Sequence, residues 1–281
     1  MIRRLACSAA CLVLLMTFTV VALAQDRGGG RRGPRSSDAA ATPAAESADA
    51  APATPGTAPS LPSAAVLGGA IVLFDGSNTD AWTTKDDQPC PWKILDDADA
   101  MEAGGGDIVS KQKFEDYQLH LEFWLPKNPP EVKGQARSNS GVFLQHRYEI
   151  QILDSYGQEA RKDGCGSIYN RKKPKENACT PPETWQTYDI TFKAARFDAD
   201  GNKTSNARVT VIHNGVTIHQ DAEIEGPTRS GVTDEVPGPA PIILQDHKNP
   251  VRFRNIWVLP TAKPEKLPAT SRPATNRRVA E

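Results

Sequence analysis

The sequence predicts an all-β, single-domain protein built as an antiparallel β-sandwich or jelly roll. Many short runs of β-branched and aromatic residues are punctuated by Gly and Pro. No apolar pattern at helical spacing exceeds about ten residues. The clearest strand, Tyr117–Leu125, alternates strictly: Tyr117, Leu119, Leu121, Phe123 and Leu125 against Gln118, His120, Glu122 and Trp124.

Strand signals run in order through Ala70–Phe74, Tyr117–Leu125, Gly141–Gln145, Tyr148–Leu153, Thr187–Phe192, Ala207–His213, Ile242–Gln245 and Arg252–Val258. Asn214-Gly215 lies between two β-branched runs and predicts a tight hairpin, because both residues tolerate the positive φ of a type I′ turn. No internal repeat is visible.

The ends differ from this middle. Met1–Ala24 carries Arg3 and Arg4, then an apolar run, then Ala22-Leu23-Ala24, the pattern of a cleaved secretory signal peptide. The apolar run is short for an uncleaved membrane anchor. Residues 25–66 are rich in Ala, Pro, Gly, Ser and Thr, a composition that cannot bury enough surface to offset chain entropy. They are expected to be a disordered tether, and the basic residues 261–281 a similar tail. Residues 67–260, about 190 in number, suffice for one core. The mature chain is expected to be periplasmic or extracellular, with no membrane insertion.

Within 67–260 there are 22 basic and 28 acidic residues, a net charge of −6. That argues against nucleic acid and anionic lipid as partners. The oligomeric state is not legible. Cys90, Cys165 and Cys179 survive signal removal, and export favours a disulfide. Cys165 with Cys179 is the expected pair, flanking a stretch rich in Lys, Pro and Asn. Closing that loop contributes roughly 3 kcal/mol in the chain-entropy model. There is no Cys-x-x-Cys and no His/Cys cluster for zinc. No cofactor is firmly implied. A divalent metal ion stays open, since acidic residues are plentiful, but no segment has the spacing of a dedicated calcium loop. Gly28–Gly30 and Gly104–Gly106 lack the Lys-Ser/Thr of a phosphate cradle.

The richest stretch is Tyr148-Glu149-Ile150-Gln151-Ile152-Leu153-Asp154-Ser155. Along a strand, Glu149 and Gln151 share one face and Asp154 takes the other. The pair is either a base beside an amide in a polar cleft, or a buried hydrogen-bonded tie between strands. Glu149 and Asp154 share a face only if a β-bulge turns the latter. Gln245 and His247 also share a face, with an imidazole suited to proton transfer or merely to fixing the Pro250 turn. Arg252 and Arg254 share parity, for a structural ion pair or for a substrate. Arg137, Ser138, Asn139 and Ser140 form a polar approach to the Gly141 strand, and Tyr169, Trp92, Trp124 and Trp185 are candidate sugar-stacking rings. Trp124 and Trp185 fit packing better. His120 and His219 are assigned no function.

Several phrases together resemble the 3-keto-disaccharide hydrolase family. In order they are Leu73-Phe74-Asp75-Gly76 with Trp82, Phe114-Glu115-Asp116-Tyr117, Asn139-Ser140-Gly141-Val142 and the Tyr148–Ser155 stretch. Then come Gly166-Ser167-Ile168-Tyr169, Trp185-Gln186-Thr187-Tyr188, His213-Asn214-Gly215, Leu244-Gln245-Asp246-His247 and Val251-Arg252-Phe253-Arg254-Asn255-Ile256. Their order, rather than any one of them, carries the resemblance. It implies a concanavalin-A-like fold and action on an oxidised saccharide or glycoside whose C3 hydroxyl has become a ketone. The ketone acidifies the C2 proton, so a base can remove it and the enolate can expel the C1 oxygen before water adds. On that reading Glu149 and His247 are the acid–base pair, in either order. Gln151, Gln245 and Arg254 orient substrate or stabilise the enolate, and Arg137, Asn139, Tyr169 and Asp154 contact it. The alternatives are a carbohydrate-binding module, a structural accessory domain on the cell envelope, or a laminarinase-type retaining hydrolase. The last is weakened because Gln151 stands where that motif carries its central acid.

Overall fold

The computed structural model describes residues 68–261. The expected signal peptide, the tether and all of the tail beyond Thr261 lie outside the described residues. The described chain forms fifteen strands: β1 (Ile71–Phe74), β2 (Trp82–Thr83), β3 (Lys93–Leu95), β4 (Ala100–Glu102), β5 (Ile108–Phe114), β6 (Tyr117–Trp124), β7 (Ser140–Leu144), β8 (Tyr148–Ile152), β9 (Trp185–Lys193), β10 (Arg196–Phe197), β11 (Lys203–Ser205), β12 (Ala207–His213), β13 (Val216–Ile224), β14 (Ala240–Leu244) and β15 (Arg252–Pro260). One 3₁₀ turn, Gly134–Ala136, is the single helical element among them.

All the pairings between these strands are antiparallel. An eight-stranded sheet runs β13-β12-β9-β6-β15-β4-β3, with β1 also on β15, and a five-stranded sheet runs β2-β5-β14-β7-β8. Strands β10 and β11 form a separate ribbon. The inner faces meet in one core, with Tyr117, Leu119, Leu121 and Phe123 of β6 from one sheet and Val142, Leu144, Ile150 and Ile152 from the other. The alternation of β6 is what assigns those residues inward. The predicted sandwich is therefore the observed fold.

Local chemistry sets the turns. Asn214 and Gly215 take φ of 51° and 79°, joining β12 to β13 as the hairpin requires. Gln145 and His146 also take positive φ, 50° and 59°, so β7 stops at Leu144 rather than at Gln145. Strand β5 gave no clear sequence signal, because Ser110, Lys111, Gln112 and Lys113 interrupt its apolar ends.

On the outer side of the larger sheet, His120 is buried yet paired. It lies 2.6 Å from Asp189 and stacks on Trp257 with ring centres 5.2 Å apart. Burial by itself pulls its pKa down, but the hydrogen bonds with Asp189 and Glu122 push it up to about 9.

Leu121 is fully buried in the middle of β6. Leu121→Ala is expected to cost about 2–5 kcal/mol. Urea unfolding should show a lower midpoint with unchanged slope.

Candidate functional site

Register decides where Glu149 and Gln151 point. In the β7–β8 hairpin Val142 pairs with Ile150 and Ser140 with Ile152, while Phe143 pairs with Glu149 and Gly141 with Gln151. The first set faces the core, so the second set faces away from it, on the outer side of the five-stranded sheet. Gln245 joins from the neighbouring side, its N–H donating to the Gly141 carbonyl at 3.0 Å. The free edge of β8 is closed by residues 166–169. Gly166 N donates to Gln151 O (2.9 Å), Gln151 N to Ser167 O (3.0 Å), and Tyr169 N to Glu149 O (3.0 Å). Glu149 N donates to Thr228 Oγ1 at 3.0 Å. Edge pairing of this kind leaves no backbone group of this stretch unsatisfied.

Over this outer side lies a polar cavity of about 40 Å³. It is lined by Glu149, Gln151, Asn139, Tyr169, Gln245 and His247, all of them sequence candidates. Gln135, in the 3₁₀ turn, and Ser230, in the turn after Thr228, complete it, and neither position carries a periodicity that would mark it in the sequence. The cavity has room for a few waters and is well below the roughly 300 Å³ of a pocket that engulfs a ligand.

Glu149 is 2% exposed, and its Oε2 has no hydrogen-bond partner. Burial, reinforced by the charge of Asp107, pushes its pKa up to about 8, so it is mostly protonated at neutral pH. Gln245 Oε1 is likewise buried and unpartnered. Two open polar atoms in one small cavity cost about 1–3 kcal/mol each unless a ligand supplies the missing bonds.

The Gln151 carboxamide has acceptors at both ends. Gln135 Oε1 and Asn139 Oδ1 lie 3.0 and 3.3 Å from one end. Glu149 Oε1 and the Ser140 carbonyl lie 3.1 and 2.8 Å from the other. One NH₂ group cannot serve both ends. A protonated Glu149 can donate to the amide oxygen. An ionised Glu149, together with Ser140, calls for the amide nitrogen instead. The amide orientation and the Glu149 proton are thus coupled. Gly141 permits this closeness, because a Cβ there would meet Glu149 Oε1 at 2.6 Å.

His247 is exposed at the rim, on a loop fixed from several sides. Asp246 N donates to Asp107 Oδ1 (2.9 Å) and Gly106 N to Asp246 Oδ2 (2.9 Å). Asn139 N donates to Asn249 Oδ1 at 2.6 Å, and Lys85 pairs with Asp107 at 2.7 Å.

Other sequence candidates lie elsewhere. Strand β8 ends at Ile152, so no bulge turns Asp154 toward Glu149. Asp154 is 1% exposed and ion-paired with Arg137, whose Nε also reaches the Asp154 carbonyl at 3.2 Å. Neither lines the cavity, so both pin a loop rather than contact a ligand. Arg254 belongs to β15 of the larger sheet, where it pairs with Glu122 at 2.8 Å and covers the Trp185 ring at 4.0 Å. It is not part of the site, because strand parity gave it a face but not a sheet. Trp92 is buried against Phe253, and Trp124 lies under Arg252, so neither offers a free ring. Cys165 and Cys179 are buried free thiols without the expected cross-link, Cys165 Sγ lying 3.2 Å from the Tyr188 hydroxyl and Cys179 Sγ 3.6 Å from the Leu153 carbonyl. Among the described residues no group of three or more His, Cys, Asp or Glu is placed to hold a metal ion. None of their helices is long and apolar enough to cross a membrane.

The family model of the 3-keto-α-glucoside-1,2-lyase-like domain matches residues 69–259, the whole sandwich with its cavity. The chain belongs to this family. Family membership makes it a carbohydrate-active domain. It is 38% identical to a provisionally assigned glycosyl hydrolase from Parabacteroides distasonis ATCC 8503 solved at 2.13 Å, with a TM-score of 0.63 over 69% of this chain and 84% of that one. A second provisionally assigned glycosyl hydrolase from the same organism, solved at 1.70 Å, shares the fold at 17% identity. Its TM-score is 0.51, over 69% and 94% of the two chains. No curated protein matches the chain.

Burial of Glu149 has a measurable consequence. Between its ordinary pKa of 4.5 and about 8, the folded chain keeps a proton that the unfolded chain has released. Stability should therefore fall as pH rises through that window and level off above it. Glu149→Gln should flatten the fall and melt higher than wild type at pH 9. Melting curves of both proteins from pH 5 to 9 check this, and taking their difference cancels the separate titration of His120.

Proposed function

We propose that this protein cleaves 3-keto-glycosides by removing the C2 proton, eliminating the C1 oxygen and hydrating the product, a net hydrolysis. What supports the reading is one observation: a protonated, buried carboxyl and an exposed imidazole share a cavity walled otherwise by four amides, a tyrosine and a serine. Elimination beside a ketone needs a base for C2–H, donors for the enolate oxygen and an acid for the leaving oxygen. Glu149 keeps its proton at neutral pH and gives it to the departing C1 oxygen. His247, at the mouth, takes the C2 proton. Gln151 and Gln245 orient the substrate or stabilise the enolate oxygen, and Tyr169 supports the ring face. The related P. distasonis protein, provisionally a glycosyl hydrolase, is compatible with this chemistry.

Retaining hydrolysis of the laminarinase type has less support. It requires a second carboxyl about 5 Å from the first, and Asp154 is committed to Arg137. The mature enzyme is proposed to act outside the cytoplasm, on the strength of Met1–Ala24 alone.

With 3-keto-trehalose or a 3-keto-glucoside as substrate, Glu149→Gln and His247→Ala should each lower kcat by about 10²–10⁴-fold. Tyr169→Ala should act mainly on KM. The wild-type kcat/KM should fall as pH rises through about 8, where Glu149 loses its proton. A rise over that range would reverse the acid and base roles. Saturable binding of these sugars with no product from any of them would mark a carbohydrate-binding module and sink the enzymatic reading.

A further inference from the structure

Directly behind the cavity wall lie two side chains the proposed reaction does not use. Cys165 and Cys179 are 2% and 8% exposed, and a short relay brackets them: the Cys165 N–H donates to Ser155 Oγ, Ser155 Oγ donates to Asn177 Oδ1, and the Cys179 N–H donates to the same Asn177 oxygen, each at 3.3 Å. Each is also tied to the chain that carries the site. Cys165 Sγ is 3.2 Å from the Tyr188 hydroxyl, which donates to the Gln151 carbonyl at 2.7 Å. Cys179 Sγ reaches the Leu153 carbonyl at 3.6 Å. The residue after Cys165, Gly166, begins the edge pairing with β8. Tyr169 of the cavity wall follows four residues after Cys165. The relay therefore anchors the start of the wall to a point 14 residues further along the chain.

We propose that Cys165 and Cys179 are an oxidisable pair whose disulfide clasps the Gly166–Tyr169 wall against Glu149 and Gln151. The oxidant is a disulfide, either a small molecule such as oxidised glutathione or a protein dithiol–disulfide oxidoreductase. The Cys179 thiolate attacks one sulfur of that disulfide, forms a mixed disulfide and releases one external thiolate. Cys165 then loses its proton to solvent, attacks the Cys179 sulfur and expels the second. Two protein thiols become one disulfide, and one external disulfide becomes two thiols. Cys179 is suited to the first attack, because the neighbouring Cys165 thiol holds its pKa below the ordinary thiol range, whereas burial pushes Cys165 up. With both sulfurs buried, the reaction takes place during folding or through local opening of the 153–184 segment.

Closing the loop removes freedom from the unfolded chain. It also ties one end of the wall covalently, so exchange of the wall amides must proceed through a smaller opening. The clasp does not rest on the sugar chemistry, and its tests use no substrate.

The full chain is held with excess oxidised glutathione or with a phosphine reductant, alkylated, digested with trypsin and weighed. The oxidised sample should yield the Cys165 and Cys179 peptides joined, with Cys90 alkylated. It should melt about 5–10 °C above the reduced sample. Amide exchange at Gly166, Ser167 and Tyr169 should be at least tenfold slower in the oxidised form. Cys165→Ser with Cys179→Ser should match the reduced protein and ignore the oxidant. If that variant does not fold, the oxidised and reduced wild type supply the same comparison. Separate alkylation of Cys165 and Cys179 at every glutathione ratio overturns the pair. Joined peptides with unchanged exchange at 166–169 overturn the clasp. Either result leaves the proposed sugar reaction standing, and loss of that reaction leaves the clasp standing.

Discussion

A carboxyl group removed from water at the covered edge of a sheet is the constraint around which the site is organised. Burial disfavours the charge of Glu149, and Asp107, of the same sign, adds to it. The fold tolerates this by leaving the proton on. The main-chain groups of Glu149 and Gln151 are satisfied by Thr228, Tyr169, Ser167 and Gly166, so what is left unmet in the cavity is on the side chains, Glu149 Oε2 and Gln245 Oε1. Gly141 leaves the room, Gln151 offers an oxygen or a nitrogen according to the protonation state, and Asp107 keeps the field negative. The larger sheet supplies the contrast. His120 is as deeply buried but faces Asp189 and Glu122, so its charge is kept rather than suppressed. Paired burial stabilises a charge and unpaired burial stores a proton.

Much of this was legible in the sequence, and the reason is parity. A strand with Glu149 and Gln151 on one side of an apolar run shows the same alternation that assigns Leu119 and Leu121 to the core. Gln245 and His247 follow the end of β14 at Leu244, and they reach the same cavity because β14 pairs with β7, which pairs with β8, and because Asp107 and Gly106 hold the loop at Asp246. Parity alone cannot name the sheet. Arg254 has the right alternation and the wrong address, since β15 runs through the centre of the larger sheet. Asp154 failed for a different reason. It lies beyond the end of β8, where alternation no longer applies and the loop partner Arg137 decides its place. Gln135 and Ser230 come from loops, whose side-chain directions no periodicity encodes. Strand β5 was hidden because a run of polar residues crosses it, held in place by its neighbours β2 and β14 rather than by its own pattern.

The small size of the cavity bears on which chemistry it suits. A glycosidase that works through an oxocarbenium-like state must grip a whole ring and distort it, with carboxyls on both sides of C1. Elimination beside a ketone asks less of the protein. The ketone has already made C2–H acidic, so two proton-transfer groups and donors for one oxygen are enough. A cavity of about 40 Å³ with a stored proton at its floor, an imidazole at its rim and amides between them is proportioned to that smaller task. On the proposed reaction, the cost of keeping Glu149 neutral becomes part of the catalyst. At pH 7 an ionised carboxylate has no proton to give a departing alkoxide, whereas one held to about 8 has it ready and gives it up with little penalty. In the proposed reaction, the same burial that makes the fold less stable at high pH is what sets the acid to its work.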